Sequence, residues 1–384
     1  MASIKLKGDT SGEVTIQAPS VAGTNTLELQ ATSGTLATTA QASIGMKNRI
    51  INGNMMIDQR NTTQTGNGYS VDRWAIYDNT SATYTFAQDS SAPSGFVNSL
   101  KFTTTGTDTS IGSTEQCVIY HQIEGYNITD LNWGTANAKT VTLSFYVRSS
   151  LTGTFAGSLG NNGYARSYPF TYTISSADTW EQKTITITGD TTGTWLTTNG
   201  VGISLRLAIA AGSSFEATAG AWDSGNYFSV SGATNVVGTA SSTFYITGVQ
   251  LEANTTATPF ENLQYGTQLA LCQRYFSTSY GNNPVGTNTW DGTFAGRNYN
   301  TSARSENVVN IHLPVQMRAS PTLTAYSKAG TSGKLVAGST SVDVSTTELT
   351  CSLRGSSTIL RAVTGASIGA TLWYQFHYTA SAEL

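Results

Sequence analysis

Charged residues are scarce in this chain of 384 residues. They make up 11% of the sequence, whereas about a quarter is usual for a soluble domain. Hydrophobic residues still make up 39%, so the chain can bury a core, and its surface must be covered largely by hydroxyl and amide groups. Such a surface suits an extended, β-rich extracellular or virion protein better than a cytosolic enzyme with charged helices.

Cysteine pairs, a strong net charge and long apolar runs are also lacking. Cys117, Cys272 and Cys351 are odd in number and form no C-x-x-C pair, so we interpret them as small buried side chains rather than disulfides or zinc ligands. The formal net charge of -3, with no dense basic patch, argues against a nucleic-acid partner. No run approaches the roughly 18 apolar residues of a membrane span, so no membrane insertion is expected. The polar residues 1–7 carry no apolar signal segment, which favours assembly inside a cell and release by lysis.

Residues 1–45 predict a short β-structured arm and a linker. Apolar alternations at 4–6, 14–16 and 27–29 are separated by turns rich in Gly, Asp, Ser and Pro. Three such strands cannot bury a core by themselves, so the arm is either a flexible leader or is completed by other chains. The regular alternation favours completion, as a three-chain intertwined β-structure.

The arm resembles a recurrent N-terminal module of bacteriophage tail fibre and tail-associated proteins. That module reads K-L-K-G-D-x-S-G-x-(V/I)-T-(I/L)-x-A-P, followed by G-T-N-T-L-x-L-P, and Gln30 stands where it has the last Pro. The resemblance implies a virion protein that the arm anchors to the particle. The residues that would carry this anchoring are Leu6, Gly8, Asp9, Val14, Ile16, Pro19, Leu27 and Leu29.

Residues 46–262 predict a jelly-roll β-sandwich. The dipeptide Asn52-Gly53 predicts a turn between two strand-like halves, and Asp72 and Arg73 predict a buried-edge ion pair beneath Trp74. Strand-like runs then recur at short spacing between turns, as expected for an antiparallel sandwich. The runs are 74–77, 82–87, 99–103, 117–123, 140–148, 167–174, 182–187, 201–210 and 244–251.

Residues 263–384 predict a linker helix and a smaller β-sandwich at the distal tip. Tyr265, Leu269, Cys272 and Phe276 form an apolar stripe, which predicts a helix over 262–278. Alternation at 308–317 and 372–378 predicts strands after it. The expected fold class is therefore all-β, with an intertwined arm, a jelly roll, a short helix and a second sandwich.

Further blocks resemble phage fibre and minor tail proteins, including cyanophage-like ones. They are N-x-x-x-N-G and Y-x-x-D-R-W within 48–74, the closing run Y-I-T-G-V-Q-L-E, L-x-x-C-Q-R-Y-F at 269–276 and M-R-x-x-P-T at 317–322. The resemblance implies a carbohydrate-binding-module-type sandwich, a homotrimer, and a place in the virion after assembly in the host cytoplasm. It implies as partners other tail, baseplate or neck proteins, contacted through the arm, and host surface polysaccharide or lipopolysaccharide.

No catalytic pattern stands out, so we expect a protein that is not an enzyme. Acidic residues stand singly in turns, and no fixed repeat indicates the long parallel β-helix usual for a depolymerase. His121, His312 and His377 lie in strand-like runs without metal-ligand spacing, which favours structural roles. No cofactor is expected. Glu252 is the candidate ligand for a structural calcium ion, although one carboxylate falls short of the six to eight oxygens of such a site.

Aromatic residues in polar, glycine-containing segments are candidates for stacking on sugar rings. Each could instead plug the end of a sandwich. The preferred segment is 280–299. The candidate carbohydrate-binding residues are Tyr280, Asn282, Trp290, Asp291, Tyr299, Trp222 and Asp223.

The function that follows is a homotrimeric phage tail fibre that binds host-cell glycan during adsorption, through several weak sites acting together. Two alternatives stay open. One is a purely structural virion appendage, such as a neck or head fibre or a baseplate-associated spacer. The other is a glycan-cleaving tailspike whose carboxylates meet across chains.

Overall fold

The computed structural model describes residues 3–7, 13–17, 46–281, 283–297, 308–337, 343–345, 350–353, 359–363 and 373–384. The chain divides into two compact units, residues 1–43 and 44–384. The boundary expected between 262 and 263 stays a prediction. None of the helices in the described ranges is long and apolar enough to cross a membrane.

The first unit contains a β-hairpin. Strands β1 (Ser3–Lys7) and β2 (Glu13–Gln17) pair antiparallel, with Ile4 opposite Ile16 and Leu6 opposite Val14. The strands predicted at 4–6 and 14–16 are therefore confirmed. The third predicted strand, and with it Gly8, Asp9, Pro19, Leu27 and Leu29, lies outside the described residues.

The second unit begins with a β-sandwich of two antiparallel sheets. One sheet has the order β10-β9-β12-β7-β4-β3 and the other β11-β8-β13-β6-β5. Successive strands from β6 to β9 and from β10 to β13 change sheet, as in a jelly roll, so the predicted fold class is confirmed. The strands are β3 Gly68–Tyr69, β4 Trp74–Asp78, β5 Thr83–Asp89, β6 Ser99–Gly106, β7 Gln116–Glu124, β8 Val141–Ser149, β9 Gly153–Gly160, β10 Ser167–Ile174, β11 Glu181–Ile187, β12 Val201–Ala211 and β13 Thr243–Glu252.

Each strand-like run predicted between 74 and 251 is a strand, because alternating side chains fill the space between the sheets. The strand that sequence missed is β9, which reads GTFAGSLG. Its glycines suggested a turn, but Gly157 lies where a Cβ would stand 2.5 Å from the Arg206 carbonyl oxygen and 2.7 Å from the Phe170 ring. Glycine is therefore needed there for close packing within the sheet.

The segment before β3 forms turns rather than strands. Residues 51–54 form the predicted turn, with Asn52 at φ 59°, but no strand flanks it, so the predicted strand-like halves are wrong. The Asn52 side chain explains why: its amide donates to the carbonyls of Ile57 and Asp72 and accepts from the Ile57 N–H. These bonds satisfy backbone groups that would otherwise need a partner strand.

The predicted Asp72–Arg73 ion pair is also wrong. Asp72 pairs with Arg60 at 3.3 Å, and Arg73 pairs with Glu383 from the other end of the chain. Trp74 is fully buried, as expected.

The described part of residues 263–384 contributes one α-helix and further strands. Helix α1 covers Tyr265–Gln273, so it is shorter than predicted; Phe276 belongs to the next strand, and Tyr265 is 55% exposed rather than part of a buried stripe. The long strand β22 (Trp373–Ser381) pairs with β14 (Phe276–Thr278), β15 (Phe294–Arg297), β17 (Thr322–Tyr326) and β18 (Lys334–Ala337), and β18 pairs with β19 (Asp343–Ser345). A separate sheet has the order β16 (Val308–His312), β21 (Ile359–Val363), β20 (Thr350–Leu353).

Candidate functional site

The outer face of the six-stranded sheet carries polar and aromatic side chains. Along β7, Cys117, Ile119 and Ile123 are buried between the sheets, while Gln116, Tyr120 and Gln122 face away from the core and are partly exposed. This is the alternation expected of a strand with one buried face. The outward side chains therefore form a surface on which a ligand can lie.

Strand register aligns these side chains into rows. Tyr120 of β7 lies opposite Ala75 of β4 on one side and Arg206 of β12 on the other. Tyr77 lies opposite Val118, and Gln122 lies opposite Ser204. The register thereby brings Tyr77 and Arg206, which are 129 positions apart in the chain, to one patch.

A cleft of about 270 Å³ opens on this patch. Its aromatic walls are Tyr77, Tyr120 and Tyr164, and its amides are Gln116, Gln122 and Asn226. Arg206 lines the cleft as well, and no Asp or Glu is among the described residues that line it. Tyr77 is 42% exposed, so its ring is open to a ligand.

Two loops shape the cleft. The 3-10 helix Asn162–Tyr164 sets the Tyr164 ring 4.2 Å from the guanidinium carbon of Arg206. The segment around Asn226 is tied to β10, because Asp223 and Ser167 exchange backbone hydrogen bonds of 2.9 and 3.1 Å. Farther along this segment, Phe228 is buried against Val118 and its neighbours and so closes one side of the outer face.

Arg206 links strand β9 to the loop that carries Asn226 and Tyr227. Its Nε donates to Ser158 Oγ at 3.1 Å, its Nη2 donates to the Tyr227 carbonyl at 2.9 Å, and its Nη1 donates to the Asn226 side chain. Only 3% of the residue is exposed. Burial lowers the pKa of Arg206 to about 10, so it still carries its charge at neutral pH.

The predicted site residues Trp222 and Asp223 lie beside this cleft but do not line it. Trp222 packs edge-on against Trp133 and Trp195, with ring centroids 5.3 Å away in each case, and donates through Nε1 to the Thr188 carbonyl at 2.7 Å. Its ring is therefore part of the packing of the sandwich rather than a free stacking surface. Asp223 is exposed and serves through its backbone to fix the loop that presents Asn226.

The preferred segment, 280–299, gives a divided result. Tyr280 is fully buried and stacks on His377 with ring centroids 4.1 Å apart, so its predicted role as an exposed sugar platform is wrong. Trp290 is 56% exposed, with the Lys328 ammonium 3.6 Å from its ring centroid, and Asp291 is exposed beside it; their role stays a prediction. Asn282 and Tyr299 lie outside the described residues.

The remaining candidates have structural partners. Glu252 is buried and accepts hydrogen bonds from the Gln250 side chain and from both the backbone N–H and hydroxyl of Thr258. His121 bonds the Ile51 carbonyl, and His377 lies between Ser279 and the Thr289 carbonyl. Within the described part of the chain, no group of three or more His, Cys, Asp or Glu side chains is placed to hold a metal ion.

Sequence reasoning missed Tyr77, Tyr120, Tyr164 and Arg206. A signal was present in β7, whose residues 116, 120 and 122 read Gln, Tyr and Gln on one face of a strand. The alternation of β7 predicts that one face is buried, but it does not show that the other face is open to a ligand.

No family model matches the sequence, and no curated protein is similar to it. Solved structures resemble about half of the chain. The enzymatically active domain of tailspike protein 4 of bacteriophage CBA120 is 11% identical, with a TM-score of 0.30, over 54% of this chain and 22% of that one. The family 11 carbohydrate-binding module of Clostridium thermocellum is 12% identical, with a TM-score of 0.29, over 51% of this chain and 98% of that one. The xylan-binding domain of Paenibacillus barcinonensis is 10% identical, with a TM-score of 0.23, over 52% and 98%.

At these identities and TM-scores the likenesses carry no argument about what this chain does. The matched region spans only about a fifth of the tailspike structure. The function of the chain is therefore inferred from the cleft and from the residues that line it.

Proposed function

We propose that the protein is a non-enzymatic, homotrimeric phage tail fibre and that the cleft on the six-stranded sheet binds a host-cell glycan. The observation that carries the glycan proposal is the combination in one cleft of the exposed Tyr77 ring, two partly exposed tyrosine rings and three side-chain amides. Rings such as Tyr77 and Tyr120 can stack on the C–H faces of a sugar, and the amides of Gln116, Gln122 and Asn226 can exchange hydrogen bonds with its hydroxyls.

The lack of side-chain carboxylates in the described lining favours binding over cleavage. Glycoside hydrolysis uses two carboxyl groups, about 5–9.5 Å apart, on either side of the scissile bond. No Asp or Glu is among the described residues that line this cleft. The described lining therefore offers groups that can recognise a glycan and no pair of side-chain carboxylates to cleave it.

The N-terminal hairpin supports the trimeric part of the proposal. A two-stranded hairpin is marginally stable by itself in water, so β1 and β2 favour completion by further strands. The arm resembles phage tail modules, and this resemblance implies that the further strands come from two other copies of the chain. A trimer carries three clefts, so weak sites would act together on a repetitive cell-surface polysaccharide.

The experiment is a glycan array probed with the full chain and with the variant Tyr77→Ala. We expect binding to a set of glycans that weakens about fivefold or more in Tyr77→Ala, because an aromatic platform contributes on the order of 1 kcal/mol beyond the area it buries. Tyr126→Ala is the matched control, since Tyr126 is 58% exposed and lies away from the cleft. Equal loss in both variants, or no glycan bound at all, would contradict the site.

Two further measurements test the rest of the proposal. Light scattering of the full chain should give three times its 40.5 kDa mass. Incubation with the bound polysaccharide should release no reducing ends. A monomeric mass would contradict the trimer, and released ends would establish the cleaving alternative.

A further inference from the structure

Arg206 differs from the other buried arginines of the described residues. Arg60 lies against Asp72 and Glu383, and Arg73 lies against Glu383. The half-buried Arg166 and Arg274 likewise meet carboxylates, those of Asp190 and Glu124. The partners of Arg206 are all neutral oxygens: a serine hydroxyl, an asparagine amide and a backbone carbonyl. Among the described residues, no carboxylate pairs with it.

A buried cation without a counter-ion is costly. Charged side chains are almost never fully buried unless they are paired, because the charge loses its hydration. The downward pKa shift of Arg206 has burial as its largest cause, and only the Tyr164 phenol acts against it. The Tyr164 and Phe228 rings, with centroids 4.2 and 5.1 Å from the guanidinium carbon, offset the positive charge in part, but the described residues place no carboxylate against it.

Polar atoms around Arg206 also lack partners. A guanidinium has five N–H groups, and three hydrogen bonds leave one on each terminal nitrogen. Oε1 of Gln122, which lines the cleft, also has no hydrogen-bond partner among the described residues. Buried polar groups are normally satisfied, so these unpaired atoms indicate a place for a ligand group.

We propose that the cleft selects an anionic sugar, bearing a carboxylate or a sulfate ester, whose charged oxygens bind Arg206. This inference rests on the proposed glycan function of the same cleft. The remaining Arg206 N–H groups donate to the anion. The Gln122 Oε1 accepts from a neighbouring sugar hydroxyl, and the tyrosines contact the ring.

The alternative for Arg206 is a purely structural role in holding the loop at Asn226 and Tyr227. The two roles give different results with matched ligands. A structural arginine would affect neutral and anionic glycans equally, whereas a ligand-binding one distinguishes them. Hydrogen bonds to a charged group are worth about 1.5–3 kcal/mol, which corresponds to a preference of about tenfold or more.

The test uses the wild-type full chain on an array of neutral, carboxylated and sulfated polysaccharides. The array includes polygalacturonate beside its carboxyl-reduced form, and dextran sulfate beside dextran. We expect the bound set to be anionic, and carboxyl reduction or desulfation of a bound glycan to weaken binding about tenfold or more. Which matched pair shows the loss distinguishes a carboxylate from a sulfate. Because the interaction is ionic, raised salt should also weaken it.

The outcomes are distinct. Equal or tighter binding of neutral glycans overturns the inference and leaves glycan binding in place. If no glycan binds, the proposed function fails, and this inference fails with it. Arg206→Gln should weaken binding of the anionic form more than that of its neutral form, so that the preference for the anionic form is lost. Arg148→Gln is the control, because Arg148 lies on the opposite sheet beside exposed Asp178 and should leave the preference unchanged.

Discussion

Replacing Glu383 by glutamine tests the buried ionic network that joins the sandwich to the last residues of the chain. Glu383 pairs with Arg73 and, at 3.0 Å, with Arg60. The two arginine side chains are 1% and 10% exposed, and that of Glu383 is 7% exposed. The Arg73 guanidinium also lies 3.6 Å from the Tyr275 ring centroid. The network is thus buried and shared by residues far apart in sequence.

The expected cost follows from which charges lose their partner. Removing one member of a buried pair typically costs about 3–5 kcal/mol, because the other charge stays buried and uncompensated. Asp72 remains beside Arg60, and a glutamine keeps one acceptor oxygen for Arg73. We therefore expect Glu383→Gln to lower the free energy of unfolding by about 3 kcal/mol, at the low end of that range.

Urea unfolding, followed by tryptophan fluorescence and far-ultraviolet circular dichroism, measures this loss. Asp130→Asn is the control: the Asp130 side chain is 45% exposed and pairs with Arg49 at 2.8 Å, so its loss should cost less than about 1 kcal/mol. The difference between the variants should persist at 1 M salt, because buried pairs are little screened. If Glu383→Gln costs no more than Asp130→Asn, the network does not stabilise the fold and the reasoning is refuted.

Three further predictions concern single residues. Burial raises the pKa of Asp72 to about 6, so the native state keeps a proton that the unfolded state loses near pH 4. The free energy of unfolding should therefore fall by about 3 kcal/mol as the pH rises between those values. Asp72→Asn should remove this pH dependence in urea titrations, and an unchanged dependence would contradict the assignment. Gly53→Ala should cost at least about 2 kcal/mol of unfolding free energy, because its Cβ would lie 2.0 Å from the Val249 carbonyl oxygen; Gly66→Ala, with open space around it, should unfold like the wild type, and equal effects would refute the clash. Trp222→Ala should lower the free energy of unfolding by about 2–3 kcal/mol, and with it the thermal midpoint, because the Trp222 ring packs within the sandwich. An unchanged midpoint together with lost glycan binding would instead show that Trp222 binds the ligand.

The strands of the sandwich could be predicted because their signals are local. Alternation and turn residues lie within a few positions of each other, as in β7 and in the run that became β13. The exceptions are also physical. Strand β9 is not predicted, because its glycines resemble a turn although Gly157 is needed for close backbone packing. Helix α1 is predicted too long, because Phe276 continues the apolar spacing of the helix although it begins the next strand.

The candidate site could not be predicted in the same way, because it depends on register between distant strands. Tyr280 and Tyr77 are both tyrosines near polar residues, yet one is buried against His377 and the other is open at the cleft. Nothing local distinguishes them. Burial is decided by which element covers each ring.

The sequence by itself determined an all-β chain with short N-terminal strands, a jelly roll and further strands after a short helix, since these depend on periodicity and on turn residues. Only the tertiary structure decided which aromatic rings face solvent, which arginines meet a carboxylate, and that Arg206 meets none among the described residues. Which charges pair and which rings are exposed depends on which strands and loops pack against each other. That packing is set by strand register and loop closure between residues hundreds of positions apart, which no short window of sequence contains.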